Sequence, residues 1–189
     1  MPNRWEMPPV YLQSGDPERE AVTTLHAPGL LGSRFTVIQP TRTPPGIEDG
    51  RAKTYQLVQT DSSMSVAPFK GAVAWWSDKT RYLVTTSPTA LGRGRIAGVF
   101  QNDESQYPIA AGQYTCIQTH GPGSVKFVDA PTAAPTVAGL FVIPSATAGK
   151  ADALAAGSSP TYPVLGVTAG ALQGGTALAV VELSVPETV

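Results

Sequence analysis

Cys116 and His120 are the residues best suited to chemistry in this sequence, a thiol and an imidazole four positions apart. The stretch 113–120 is predicted to be a β-strand, from which both side chains would project on the same face. Four residues of strand separate them by roughly 13 Å, far beyond the hydrogen-bond reach that activation of a thiol by a base requires. Because a lone cysteine on a β face is usually a small buried apolar group, the pair does not predict nucleophilic catalysis.

Two glycine-containing motifs fall short of the known nucleotide-binding patterns. Gly149-Lys150 lacks the first glycine of a phosphate loop, since position 144 is proline, and Ala151 stands where Ser or Thr is needed. The stretch Gly92-Arg-Gly-Arg-Ile-Ala-Gly98 has the wrong spacing for a dinucleotide site, and a strand follows it where a helix is required. We interpret Arg93 and Arg95 as solvated loop charges or as partners for an acidic patch on another chain. The sequence therefore predicts no cofactor.

Metal binding and acid–base catalysis lack a set of converging residues. His26 has no second ligand nearby, and the single cysteine allows neither an internal disulfide nor a Cys-based metal site. The acidic pairs Asp103-Glu104 and Glu48-Asp49 fall in predicted turns that face solvent. The sequence thus predicts a protein that is not an enzyme.

Trp75 and Trp76 are adjacent on a predicted strand and would point to opposite sides of it. One ring is expected in the core. The other ring, if exposed, would anchor a contact with another protein, because Trp is enriched at interface hot spots. A sugar-binding platform is the alternative use of such a ring.

The charge balance limits the classes of partner. Charged residues make up only 14% of the 189 residues, and the net charge is −1. Such a chain has no electrostatic field that would attract nucleic acid or an anionic membrane. A surface with so few charges also associates readily with other surfaces. No apolar run approaches the roughly 20 residues that cross a bilayer, and the N-terminus has no apolar core of a secretory signal. We expect a subunit of an assembly that is made in a cytoplasm.

Residues 1–50 are predicted to form an extended arm, because proline interrupts them repeatedly. Within them, 16–25 has the capping residues of one short helix, and 34–39 is a strand candidate. Apolar residues in this stretch indicate an arm that orders by packing on another surface, whereas a flexible leader is the alternative. The candidate partner-binding residues there are Trp5, Met7, Tyr11, Leu12 and Phe35, joined farther along by Trp76, Arg93 and Arg95.

Residues 51–189 are predicted to be a β-rich domain of short strands and turns. The fold class is all-β, a small barrel or sandwich of short antiparallel strands. Stretches 71–76 and 81–86 form a hairpin, and Gly121-Pro122-Gly123 is expected to end the strand 113–120. Gly98 and Gly166 lie at matching places in two similar strand segments, where they indicate a bulge or a close backbone approach. The Pro-containing segment 130–137 marks the place where two lobes would divide.

The order of several short motifs resembles the capsid decoration, or cement, proteins of tailed bacteriophages and prophages. The resemblance covers about residues 51–183. Its motifs are made of common residues, so the resemblance depends on their order and spacing. It runs through Tyr55, Gly71-Ala-Val-Ala-Trp75, Val84-Thr-Thr-Ser87, Ala97-Gly-Val99, Gly112-Gln-Tyr114, Val142-Ile-Pro-Ser-Ala-Thr-Ala-Gly-Lys-Ala-Asp152 and Val164-Leu-Gly-Val167.

The resemblance implies a non-enzymatic virion protein on the outer capsid surface. Such proteins bind expanded heads, often as homotrimers, and clamp neighbouring major capsid protein subunits together. The arm 1–50 lies outside the shared pattern. An adhesion module on the virion surface or tail, holding glycans through Trp75 or Trp76, is the alternative function.

Overall fold

The computed structural model of this chain describes residues 16–24, 28–38, 52–88, 95–172 and 177–186. These residues form eleven β-strands and one short 3-10 helix, Pro28–Leu30, and they contain no α-helix. The predicted all-β fold is therefore confirmed. The strands are β1 (Ala21–Val22), β2 (Arg34–Ile38), β3 (Ala52–Thr60), β4 (Val73–Asp78), β5 (Leu83–Thr85), β6 (Ile96–Phe100), β7 (Tyr114–Lys126), β8 (Phe141–Pro144), β9 (Ala151–Ala153), β10 (Gly166–Leu172) and β11 (Leu178–Ser184).

A small closed barrel forms the first half of the structure. Its strands follow the order β3-β5-β4-β6-β7, and β7 pairs back with β3 to close the ring. The predicted hairpin is present as β4 and β5, which pair antiparallel. Only the β3–β5 contact is parallel among these five strands. The barrel interior holds Val58, Ala72, Ala74, Trp76, Val84, Ala97, Phe100, Ile109 and Ile117, all of them buried.

A second ring of strands begins at the C-terminal half of β7. It follows the order β7-β11-β10-β8-β9, and a bridge between Phe127 and Ala151 joins its last strand back to the end of β7. Its core includes Val73 and Trp75, which project from the outer face of the barrel strand β4. The two tryptophans therefore lie on opposite sides of β4, and the barrel and the second ring share one buried layer.

Strand β7 continues straight through Gly121-Pro122-Gly123, so the prediction that this tripeptide ends the strand is wrong. Residues 114–120 pair with β3, whereas residues 120–126 pair with β11. The buried side chain of Gln118 donates its amide to the carbonyl oxygens of His120 at 3.0 Å, Gly121 at 3.2 Å and Pro122 at 3.0 Å. These bonds satisfy backbone acceptors where the strand passes from one ring to the other.

Gly98 and Gly166 lie at close backbone approaches, as the sequence predicts. A Cβ atom on Gly98 would stand 2.7 Å from the carbonyl oxygen of Gln118 on the neighbouring strand. The pairing of β6 with β4 also shifts register beside it, which is the bulge that a strand glycine indicates. A Cβ atom on Gly166 would collide with the carbonyl oxygen of Glu182.

Residues 16–24 and 28–38, which fall within the predicted arm 1–50, include two strands that pair with strands of the barrel. Strand β2 confirms the strand expected at 34–39 and pairs with β3 along its full length. The helix predicted at 16–25 is absent from the described residues 16–24, because Asp16 caps a tight turn through the amide of Glu18 at 2.9 Å and β1 then pairs with β7. Glu20 is fully buried.

A small polar cluster holds this N-terminal segment on the barrel. The hydroxyl of Tyr55 donates to the Glu18 carboxylate at 2.6 Å, and the ammonium of Lys53 lies 3.1 Å from the same oxygen. Burial, and then the neighbouring Glu18 charge, raise the pKa of Tyr55 well above its usual value. The phenol therefore stays protonated as a donor through the neutral range.

The segment 130–137 connects β7 to β8 and lies on the body. Thr132 donates its backbone amide and its hydroxyl to the Asp152 carboxylate at 2.7 and 2.6 Å. Ala133 packs against the core of the second ring. Strands β7 and β8, on either side of this segment, both belong to the second ring. The barrel and the second ring instead share strand β7.

Candidate functional site

A pocket of about 270 Å³ opens where β4 ends and β5 and β6 begin. Stretches of the chain that are far apart in sequence contribute to it, which is typical of a site that the tertiary fold assembles. The barrel-end pocket, as we name it, is lined by Gly32, Arg34, Gln56, Trp76, Lys79, Tyr82, Ile96, Ala97 and Pro186.

Two aromatic rings form one wall of this pocket. Trp76 and Tyr82 meet edge to face, with ring centroids 6.2 Å apart. Tyr82 has φ +53°, a left-handed conformation that is uncommon for a residue with a side chain. Its ring lies directly against Gly32, where any Cβ atom would collide with it. Gly32 and the unusual backbone of Tyr82 together place the ring at the pocket.

The turn between β4 and β5 positions Lys79 at the pocket mouth. The carboxylate of Asp78 accepts the hydroxyl of Thr80 at 2.7 Å and the amides of Thr80 at 3.0 Å and Arg81 at 3.3 Å. The hydroxyl of Thr80, together with these amides, lowers the pKa of Asp78. The carboxylate therefore stays ionised and the turn stays capped at neutral pH.

Gln56 forms the polar floor of the pocket. Its side chain is 5% exposed and donates to the carbonyl oxygen of Gly32 at 3.0 Å. Its other amide atom, Oε1, is buried and has no hydrogen-bond partner. Because buried polar atoms are nearly always paired, this acceptor is suited to a donor from a ligand or from water.

Of the predicted partner-binding residues, the structure describes Phe35, Trp76 and Arg95. Phe35 is half-buried and stacks on Tyr55 with centroids 6.1 Å apart, so its ring stabilises the N-terminal segment. Trp76 is 7% exposed, and both rings of the tryptophan pair are buried. The exposure that a contact role for Trp76 required is therefore missing, although its edge lines the pocket.

Arg95 is exposed and directly precedes Ile96 of the pocket wall. Its carbonyl oxygen accepts the backbone amide of Trp76 at 2.9 Å. Trp5, Met7, Tyr11, Leu12 and Arg93 lie outside the described residues.

Cys116 is buried in a cluster with Val37, Tyr55 and Leu57. Burial, and then the nearby Glu20 charge, raise the pKa of its thiol well above the usual value. The imidazole Nδ1 of His120 lies 3.1 Å from the hydroxyl of Thr119. The thiol has the surroundings of a core residue, as the sequence indicates for a lone cysteine on a strand.

A second candidate region is the outer side of β8 and the segments beside it. Phe141 is 44% exposed and Val137 is 53% exposed, large values for apolar side chains of this size. Residues 155–161 next to them are all exposed and uncharged, and the amide of Leu154 donates to the carbonyl oxygen of Phe141 at 2.9 Å. We call Val137, Phe141 and residues 155–161 the uncharged face.

The chain around this face is nearly free of charge. Between residues 130 and 172 only Lys150 and Asp152 carry a charge. Lys150 pairs with Asp129 at 2.9 Å, and Asp152 accepts two hydrogen bonds from Thr132. Across the sheet, Glu182 of β11 pairs with Val167, which in turn pairs with Phe141, so one charge borders the uncharged face. Sequence reasoning missed this face, although the long charge-free run was its signal.

The fold defines the class of protein as all-β, a closed barrel that shares one strand with a second ring. Comparison of the chain with protein-family models, with curated proteins and with solved structures found no match. Among the described residues there is no cluster of three or more potential metal ligands. The same part of the chain has no helix long and apolar enough to span a membrane.

Proposed function

We propose that this chain is a structural virion protein that binds the outer surface of a tailed-phage capsid and stabilises contacts between major capsid protein subunits. The observation that carries the proposal is the uncharged face, where Phe141 and Val137 are exposed. Exposed apolar side chains in a stretch of chain that holds few charges favour a protein contact over free solvation. The order of short motifs shared with capsid decoration proteins supports the same function.

The proposed mechanism is non-covalent and needs no reacting group. Apolar contact at the uncharged face supplies affinity, and a homo-oligomer multiplies it by binding several neighbouring sites at once. A trimer is the favoured assembly, because the decoration proteins that this chain resembles are often trimers. A net charge of −1 also lets many copies crowd on one shell with little mutual repulsion.

Phe141→Asp is expected to weaken binding to expanded heads by at least about tenfold, because it places a charge in the centre of a contact that excludes water. Binding is measured by co-sedimentation of the purified chain with heads that lack it. Val66→Asp is the matched control, since Val66 is 37% exposed but belongs to the barrel half of the chain. Equal loss for both variants, or no loss for Phe141→Asp, would contradict a role for the uncharged face.

The oligomeric state is tested separately by light scattering after size exclusion. We expect a homo-oligomer, either in solution or on the heads. Strictly monomeric protein with no affinity for heads would favour the alternative, a virion-surface or tail-associated adhesion module. The barrel-end pocket is the observation that supports this alternative, since Trp76 forms part of its wall.

A further inference from the structure

We propose that the barrel-end pocket binds a carboxylated monosaccharide unit, such as a hexuronic acid residue of a longer glycan. The proposal concerns the end of the barrel and does not depend on capsid binding, which involves the uncharged face. It rests on the chemistry of three parts of the pocket: its floor, its aromatic wall and its mouth.

The floor offers the ligand a hydrogen-bond acceptor. The amide group of Gln56 already donates to Gly32, so the unpaired Oε1 atom is left to accept. A sugar hydroxyl can donate to Oε1, whereas an ionised carboxylate such as acetate has no donor. The buried acceptor therefore favours a hydroxylated ligand over a bare carboxylate.

The wall and the volume set the size and shape of the ligand. Tyr82 is half-buried, whereas Trp76 and Ile96 beside it are buried, so a ring with a C–H face fits against Tyr82 at this wall. A volume of about 270 Å³ lies just below the usual range for drug-sized ligands, which fits a single sugar ring. The unusual backbone of Tyr82 holds this wall in place before any ligand arrives.

The mouth gives the pocket its preference for negative charge. Lys79 and Arg34 line the pocket, and none of the other described residues that line it is acidic. Lys79 carries this part of the argument, because Arg34 has another interaction within the chain. One or two cations match a single carboxylate, whereas a nucleic acid strand would need a longer basic track.

The test is a titration of the full chain followed by two-dimensional ¹H–¹⁵N NMR. The probes are methyl glucuronide and its neutral counterpart, methyl glucoside. We expect saturable shifts of the Gln56 side-chain amide and the Trp76 indole with the glucuronide. The glucoside should bind at least about tenfold more weakly, and added salt should weaken the glucuronide because it screens the exposed Lys79.

Lys79→Glu is expected to reduce glucuronide binding at least tenfold without unfolding the protein, since the side chain is exposed. Lys70→Glu is the matched control, because Lys70 is an exposed lysine that does not line the pocket. Gln56→Leu should also lose binding, and a circular dichroism spectrum checks its fold. If it does not fold, Lys79→Glu still decides.

Three results would overturn the proposal. These are equal binding of the two sugars, an unchanged affinity in Lys79→Glu, and tighter binding of a short peptide carboxylate or inorganic phosphate than of the glucuronide. Failure here leaves head binding untouched, since Phe141→Asp tests that property at a different surface.

Discussion

Replacing Gly121 with alanine is expected to lower the free energy of unfolding by about 3 kcal/mol or more, because strain and collision coincide at one position. Gly121 has φ +86°, where a side chain is strained. Its new Cβ atom would also collide with the carbonyl oxygen of Ala52, which belongs to the strand that closes the barrel. Backbone cannot move aside as a flexible side chain can, so β3 or β7 must shift.

Gly112→Ala separates these two effects. Gly112 has φ +81°, but no atom lies within 4 Å of the place its Cβ would take. It should therefore lose only about 1–2 kcal/mol, the usual penalty of the left-handed conformation. Urea unfolding of both variants measures the difference from the midpoint and slope. Equal stabilities for the two variants would show that β7 does not approach Ala52 so closely.

Removal of residues 1–38 is expected to destabilise the whole body and to expose the thiol of Cys116. Residues 16–38 provide β2, which pairs with β3, and β1, which pairs with β7. They also cover Tyr55, Leu57 and Cys116 with Val37 and Phe35. Burial of each such side chain contributes about 1.5–3 kcal/mol, so the loss approaches the total stability of an ordinary domain.

The single cysteine makes this experiment direct. In the intact chain Cys116 should react with a disulfide reagent only when denaturant unfolds the protein, whereas in the truncated chain it should react at once. Removal of residues 1–15 is the control, since it leaves every contact described for residues 16–38 in place. A truncated 39–189 chain with the melting temperature of the intact protein and an unreactive thiol would show that the N-terminal segment is not part of the core.

Local patterns predicted the strands well because short β-prone runs and the turn residues that bound them are adjacent in sequence. The hairpin of β4 and β5 has β-prone residues on both sides of a turn that Asp78 caps, and all of these signals lie within 71–86. Gly98 was interpretable for a similar reason, since a glycine within a β-prone run usually marks a bulge or a close backbone approach.

Proline and glycine misled the prediction wherever distant residues compensate for them. Gly121-Pro122-Gly123 has the composition of a strand end, but Gln118 and β11 supply partners that the tripeptide itself lacks. The proline-interrupted N-terminus was interpreted as an arm because its neighbours in sequence offer no partner. Its actual partners, such as Tyr55 and Thr115, lie far along the chain.

The barrel-end pocket was beyond sequence reasoning for a physical reason. Gly32, Gln56, Trp76 and Pro186 meet only after the barrel has closed and the chain has returned through the second ring. Trp76 was selected from the sequence as an anchor on an open surface, whereas the fold makes it a buried wall. No spacing in the chain encodes that difference.

Strand β7 also has a mechanical consequence. Tension between the barrel and the second ring would run along its covalent backbone, because residues 114–120 pair with the barrel strand β3 and residues 120–126 pair with β11. The seven residue pairs that join β7 to β11 and the six that join it to β3 would then be loaded in shear, many bonds at once. If the chain bridges the seams of a capsid under internal pressure, as we propose, the load would pass along one continuous strand.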